Sequence, residues 1–372
     1  MQKNYNFDVV IVGSAHINAL GVIRSLGEKG VNPILLLTGN KRYIEKSKYV
    51  KKTYYSDLDE KEILDTLINK IEFNNKKCYI VPTGDFVAYV IDKNMNKLKS
   101  KYIIPNIKEK ENEISKYMDK YEQFKIAKKN NWKMAKTKLL DLTPDISNDI
   151  YPCILKPAVS AQGIKSDIRI CKNENEFKVA IDEFKNKNYR NVLLQELLEY
   201  DYEIDVPGIS NSKESIAYAM IEKINIYPVK RGSTCYGKVV AVYEKEREKI
   251  ENLINSIDYN GIFDIDLFVK ENEIFLNEIN FRNGALSYAL TNADIAITLE
   301  WILANETGKI NRKNIEKSYY FMVEDYNLKL VFQKEISIFK FISEFFNTRV
   351  FSYISFKDPK PFIYRFILKK RR

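Results

Sequence analysis

With 372 residues, 45% of them hydrophobic and 30% charged, the chain has a globular composition and length for two or three cores rather than one. Its 60 Lys and Arg against 50 Asp and Glu leave +10, read first as lysine decoration of solvated helix faces and second as a field that gathers anionic ligands. One histidine, His16, removes most histidine triads and zinc hydrolases, and four scattered cysteines without a CxxC pair argue against disulfides or a zinc site.

Any chemistry must therefore run on carboxylates, lysines, arginines and backbone amides, with or without a metal. The longest apolar runs, VVIVG and PILLL, are too short to cross a bilayer, and no basic-plus-apolar leader precedes the first strand, so a cytoplasmic protein is expected.

In chain order, FDVVIV (7–12) reads as a buried strand followed by a helix on Ile17, Leu20, Ile23 and Leu26 that stops at Lys29-Gly30. PILLL (33–37), a helix around Ile63–Ile71 positions, and CYIVP (78–82) extend this to a parallel β-α-β sheet. The turn after the first strand lacks GxGxxG and the second strand ends without an acid for a ribose, so a dinucleotide site is excluded. Gly13, Ser14 and Asn18 at one strand mouth and Thr83, Gly84 and Asp85 at another are left for a small ligand, with Asp85 equally readable as the N-cap of the next helix. The charged segment 106–131 reads as two bridging helices. From about 150 the pattern turns strand-rich, with helices near 175–186 and 244–257, an α+β region.

Late in the chain, GIFDIDLFVKENEIFLNEINF carries two strand patterns about a polar turn, a β-hairpin. Strand alternation puts Glu278, Asn280 and Arg282 on one face. A three-residue loop at 271–273 pairs Lys270 with Ile274 and sets Asp266 opposite Glu278. Like charges directly opposite are destabilising unless a hard divalent cation, with its preference for oxygen, lies between them, or a salt-bridge network neutralises them. Upstream, ILKP ends a strand at Lys156 and enters a small-residue loop holding Ser160 and one glycine, Gly163, which suits a polyphosphate. NVLLQELLEYDYEID runs a buried strand into Gln195, Glu196, Leu197 and Leu198, whose backbone would suit an adenine edge, followed by the acids Glu199, Asp201 and Glu203.

Lys156-Pro, the QELL hinge, IDLFV with Asp266, and NEIN with Glu278 and Asn280 resemble, in order and spacing, the ATP-grasp superfamily. VPTGD (81–85), Asp119-Lys120 and FKIAKKNNW are similar to segments preceding the nucleotide domain in its carboxylate-amine ligases, including those like D-aspartate ligase. The resemblance covers about residues 7–308 and implies an ATP-grasp fold, α/β and α+β, behind an N-terminal parallel α/β pre-ATP-grasp domain. The implied boundaries are a pre-ATP-grasp domain at 1–105, linker helices and a first subdomain at 106–190, a second subdomain at 191–310, and a C-terminal basic/aromatic extension at 311–372.

The resemblance further implies a ligase that activates a carboxylate with ATP as an acyl phosphate for attack by an amine. Its cofactors would be ATP and one or two Mg²⁺. The metal would fall to Asp266, Glu278 and Asn280, and the nucleotide to Lys120, Lys156, Ser160, Gly163, the 195–198 hinge, Glu203 (ribose) and Lys223. Arg282 would meet the transferring phosphate or the oxyanion, and Arg231, in YPVKRGS, would clamp a carboxylate or stand as a solvated basic turn.

The ending FKDPKPFIYRFILKKRR interleaves aromatics with Lys357, Lys360, Arg365 and further basic residues. It resembles the ends of ATP-grasp ligases of bacterial surface-polysaccharide synthesis. Contact with the inner membrane face, and a sugar-linked intermediate as acceptor for an amino acid, are expected on that reading; a helix packed on the body is the plainer one. A homodimer is the default assembly and no nucleic-acid partner is expected. Two further alternatives are a non-enzymatic basic/aromatic binding module and an ATP-grasp enzyme with another acceptor, such as a kinase or carboxylase.

Overall fold

The structure is a computed structural model that describes residues 5–143, 146–157, 167–229 and 232–368. Its first sheet is four parallel strands, Phe7–Ser14, Ile34–Thr38, Lys52–Ser56 and Lys77–Pro82, with Phe7–Ser14 between Ile34–Thr38 and Lys77–Pro82 and Lys52–Ser56 at the edge. The inner strands are unbroken Val, Ile and Leu because helices cover both faces, while the edge strand, KTYYS, is half solvated and shows no such run. Sequence reading missed that strand for this reason. The helix Ile17–Gly27 stops as expected, with Gly30 in the left-handed region.

Asp85 does not cap the helix it opens. Gly84 is the N-cap, and Asp85, the first helical residue of Asp85–Lys93, turns its carboxylate to Arg282. The bridging helices are Glu113–Tyr117 and Lys120–Lys129, the second capped by Asp119, which accepts from the N–H of Tyr121 and Glu122.

A second, antiparallel sheet orders Thr137–Asp141, Asn191–Glu196, Cys153–Pro157 and Arg169–Cys171, backed by Phe177, Ala180, Ile181 and Phe184 of helix Glu174–Asn186. It runs to Glu196, past the boundary expected at 190/191, because the hinge strand pairs with two strands of that sheet. The third sheet holds nine strands, with the hairpin Tyr259–Lys270 and Glu273–Asn280 at one edge, then Tyr202–Asn211, Met220–Tyr227 and Ser233–Val240.

Residues beyond 310 are no separate extension. Tyr319–Met322 and Thr348–Phe351 join the same sheet, and Arg24 of the first helix binds the Asp358 carboxylate and the carbonyls of Ser352 and Tyr353. The helix Lys360–Phe366 packs back on the body, with Phe362 and Phe366 against the core and Arg365 paired with Asp325 and stacked on Tyr43 and Tyr353. The packed-helix reading of the tail therefore holds for these residues, and Arg365 is not part of a free basic face.

Candidate active site

The hairpin turn is tighter than expected, and the facing pair survives for a different reason. Lys270 pairs with Glu273 across a two-residue turn in which Glu271 and Asn272 both have positive φ, a type I′ geometry. That register would slip Asp266 off Glu278, but a bulge between Asp266 and Leu267 on the pairing, at Asn277, restores it. Leu276 and Ile279 thus both reach the core while Asp266 and Glu278 stand opposite each other.

A second acid strand lies alongside. Asp205 pairs with Asp266 in register, and Glu203 follows Asp205 on the same face. Lys223, on the next strand, closes this group, with Nζ 2.9 Å from Glu203, 2.8 Å from Asp205 and 3.0 Å from Asp266. Burial opposes its charge, but the three carboxylates hold the Lys223 ammonium above its ordinary range. Burial likewise opposes the charge on Asp266, which Lys223 nonetheless holds below the usual carboxylate range. Burial and the neighbouring Asp266 charge lift Asp264 to about 6, and burial raises Asp205 despite Lys223.

Two expectations shift here. Lys223, expected at the nucleotide, is held here by three carboxylates. Glu203, expected on a ribose, is held by Lys223 and by the Tyr200 hydroxyl at 2.6 Å. Asp205 was missed; the signal was the alternation in YEID, which places it beside Glu203 and against FDID.

The opposite wall comes from the second sheet. Lys156 donates to Gln195 Oε1 at 2.7 Å across paired strands. The residue is half-buried, and burial together with the Lys120 charge lowers its ammonium to about 7 against the pull of Glu278. Lys120, at the start of its helix, reaches Glu278 at 3.4 Å. Gln123, one turn on, holds that helix to the hairpin by accepting from Ile279 N–H and donating to Ile279 C=O, each at 2.8 Å. Lys156, Lys120 and Glu278 thus converge from two sheets. At the hinge, the N–H groups of Glu196 and Leu197 donate to the carbonyls of Lys136 and Pro152, while the Leu198 amide has no backbone partner among the described residues.

Arg282 is set beside the face of Asp266, Glu278 and Asn280 by Asp85 at 2.9 Å and by the side-chain amide oxygen Oδ1 of Asn280 at 3.0 Å, with Asp264 3.9 Å away. Asn280 in turn donates to Asp266 at 3.1 Å. Asp85, Glu278, Asn280 and Arg282 line one small cavity. Asn18 donates to the carbonyls of Thr83 and Asn283, tying the first sheet's strand mouths to the segment after the hairpin. Gly284 packs directly on the Asp264 carboxylate, where a Cβ would collide. Ser160, Gly163 and Arg231 lie outside the described residues.

Residues 120–285 match the model of the ATP-grasp domain. This region is an ATP-grasp domain. The formate-dependent phosphoribosylglycinamide formyltransferase of Wolinella succinogenes is 25% identical over 163 residues, covering 42% of this chain and 40% of that one. D-alanine–D-alanine ligase of Helicobacter pylori is 26% identical over 195 residues, 48% of this chain and 53% of the relative. The chain thus spans about half or less of the length of these relatives. The N5-carboxyaminoimidazole synthetase of Staphylococcus aureus, solved with ADP, shares the fold with a TM-score of 0.64, 17% identity, and cover of 90% of this chain and 87% of that one.

ATP and Mg²⁺ are the cofactors of ATP-grasp ligases. The donor set of this domain fits them. Among the described residues no three His, Cys, Asp or Glu side chains gather for a metal; the set is two carboxylates, Asp266 and Glu278, and the amide of Asn280. A few protein oxygens suit Mg²⁺, which keeps water and phosphate oxygens among its ligands.

Proposed function

We propose that the chain is an ATP-dependent carboxylate-amine ligase that forms an amide through an acyl phosphate. A substrate carboxylate oxygen attacks the γ-phosphorus and the bond to ADP breaks. The amine then attacks the acyl carbon, phosphate leaves with the C–O electron pair, and the amine proton passes to solvent. What supports this reading above all is the convergence of Lys156 and Lys120 on a face made by Asp266, Glu278 and Asn280. Phosphoryl transfer to a carboxylate needs such positioning and charge neutralisation and no protein nucleophile, which suits a chain with one histidine.

In this reading Lys156 and Lys120 meet the phosphates, and Asp266, Glu278 and Asn280 hold the metal, which offsets phosphate charge. Leu198 N–H and the carbonyl of Glu196 take the adenine edge, while Ser160 and Gly163 sit in the phosphate loop. Arg282, braced by Asp85 and Asn280, meets the transferring phosphate or the oxyanion. Arg231 is assigned to the substrate carboxylate, and Glu203 to the ribose hydroxyls, which its remaining lone pairs can accept beside Lys223 and Tyr200.

The finer proposal is that the carboxylate is an amino acid's and the amine belongs to a sugar-linked precursor of a surface polysaccharide. The ligase would work as a homodimer in the cytoplasm at the inner membrane face. No helix among the described residues is long and apolar enough to cross a membrane.

The test is ADP release from Mg-ATP with pooled L- and D-amino acids, wild type against Glu278→Gln. Release that needs the pool and disappears in the variant supports the ligase. No release from a folded protein that binds Mg-ATP assigns a larger acceptor, and no Mg-ATP binding overturns the reading of the hairpin.

A further inference from the structure

The helix Ile338–Asn347, IFKFISEFFN, is mounted with its one acid inward and its apolar face outward. Glu344 is its one buried residue, accepting from Asn225 Nδ2 at 3.0 and 2.9 Å and from Asn327 Nδ2 at 2.8 Å. At 100° per residue, Ile338, Ile342, Phe346 and Phe339 fall on the side opposite Glu344, and all four are exposed, the two phenylalanines to 80% and 81%. The mounting is firm. Phe345 packs on Phe351 of the adjoining strand at 4.8 Å between ring centroids, and Thr348, next in the chain, enters the large sheet. The outward apolar face is therefore held by a buried polar network and not left over from a loose end.

The charges of the same segment are sorted in one direction. Between 332 and 360 the bases Lys334, Lys340, Arg349, Lys357 and Lys360 are all exposed. Of its acids, Glu344 is buried on the two asparagines and Asp358 is buried on Arg24, so Glu335 alone faces solvent. Phe332 and Phe356, 77% and 98% exposed, add to the apolar surface of this segment.

We infer that this face docks on an anionic phospholipid bilayer, with the helix Ile338–Asn347 lying in the plane of the interface. Apolar side chains over a surface whose acids have been turned inward match what such an interface offers, hydrocarbon beneath negative headgroups. A second copy of the chain is the poorer occupant, since this segment carries the exposed bases Lys334, Arg349, Lys357 and Lys360 against one exposed acid, Glu335, and so offers a like surface little opposite charge. In the tail expected to make this contact, Arg365, Phe362 and Phe366 are engaged in packing on the body. The inference stands on this face alone and does not need the ligase reading.

The experiment is co-sedimentation of the full chain with vesicles of phosphatidylcholine plus phosphatidylglycerol, or of phosphatidylcholine alone, at low and high salt. Wild type is expected to pellet with the anionic vesicles at least about tenfold more strongly than with the neutral ones, and less in high salt. Phe339→Ser/Phe346→Ser should lose about tenfold or more of that partitioning with its melting temperature and ADP release unchanged. Ile342→Ser serves if the double variant misfolds. Removal of residues 369–372 should leave most of the binding. Equal pelleting with both vesicles, no pelleting, or a double variant that binds like wild type would overturn the inference. So would binding lost with residues 369–372 alone, or a dimer in light scattering that the double variant dissociates without any vesicle binding.

Discussion

Two regions of this molecule break the usual division of residues, and they break it in opposite directions. Between the second and third sheets, carboxylates that water should hold are drawn inside and gathered on Lys223. On the helix Ile338–Asn347, phenylalanines that the core should hold are left outside while its glutamate goes in. Buried charge persists only when paired, so the first departure is costly to unbalance. Exposed apolar surface costs the folded chain little, since it is exposed in the unfolded chain too. One departure thus tests as chemistry and stability, the other as association alone.

The comparison breaks first at the hairpin. Glu278→Gln should lower ADP release by roughly 10²–10³-fold or more, because an acid that offsets phosphate and metal charge becomes neutral. Its melting temperature should hold or rise, since Asp266 no longer faces a like charge. A large loss of stability instead would make the acid pair structural.

Lys223→Met should be the most destabilising single change in the site, about 3–5 kcal/mol in a denaturant titration, because Glu203, Asp205 and Asp266 lose their common cation. Added Mg²⁺ should recover part of this loss. A shift under about 1 kcal/mol would show that the carboxylates neutralise by protonation instead.

Lys156 provides a pH handle. Its folded-state pKa is lowered to about 7, so the free protein carries the charge below pH 7 and loses it above. Nucleotide phosphates favour the charged form, so the Kd for ATP should be flat below pH 7 and weaken by up to about tenfold per unit above it. Lys156→Arg should flatten the profile; a wild-type profile already flat to pH 9 would remove Lys156 from the phosphates.

The smallest effect belongs to the outward helix. Phe339→Ser should change stability by no more than about 0.5 kcal/mol, against about 3–5 kcal/mol for a buried phenylalanine such as Phe321 changed to alanine. A loss near the larger value would mean that the face is covered in solution.

Much of this site was legible in the chain because strand alternation is local. NEIN carries Glu278 and Asn280 at a period of two, which placed them on a common face, and the assumed hairpin register set Asp266 opposite Glu278. The first sheet was equally readable, since strands buried on both faces spell themselves as apolar runs. What failed did so where the neighbour decides. Lys52–Ser56 and Thr137–Asp141 lie at sheet edges, half wet, and carry no strong pattern. The turn was read one residue too long, and only the bulge at Asn277 preserved the facing acids.

By itself, then, the sequence determined which residue types lie on which face of each strand and helix, because those periodicities follow from backbone geometry. The tertiary structure decided what each face meets. It gave Lys223 to three carboxylates, brought Lys156 and Lys120 to Glu278 from separate elements, and turned Glu344 inward so that Phe339 and Phe346 face out. Such pairings join residues tens to hundreds of positions apart, and their energy depends on burial that no local pattern records.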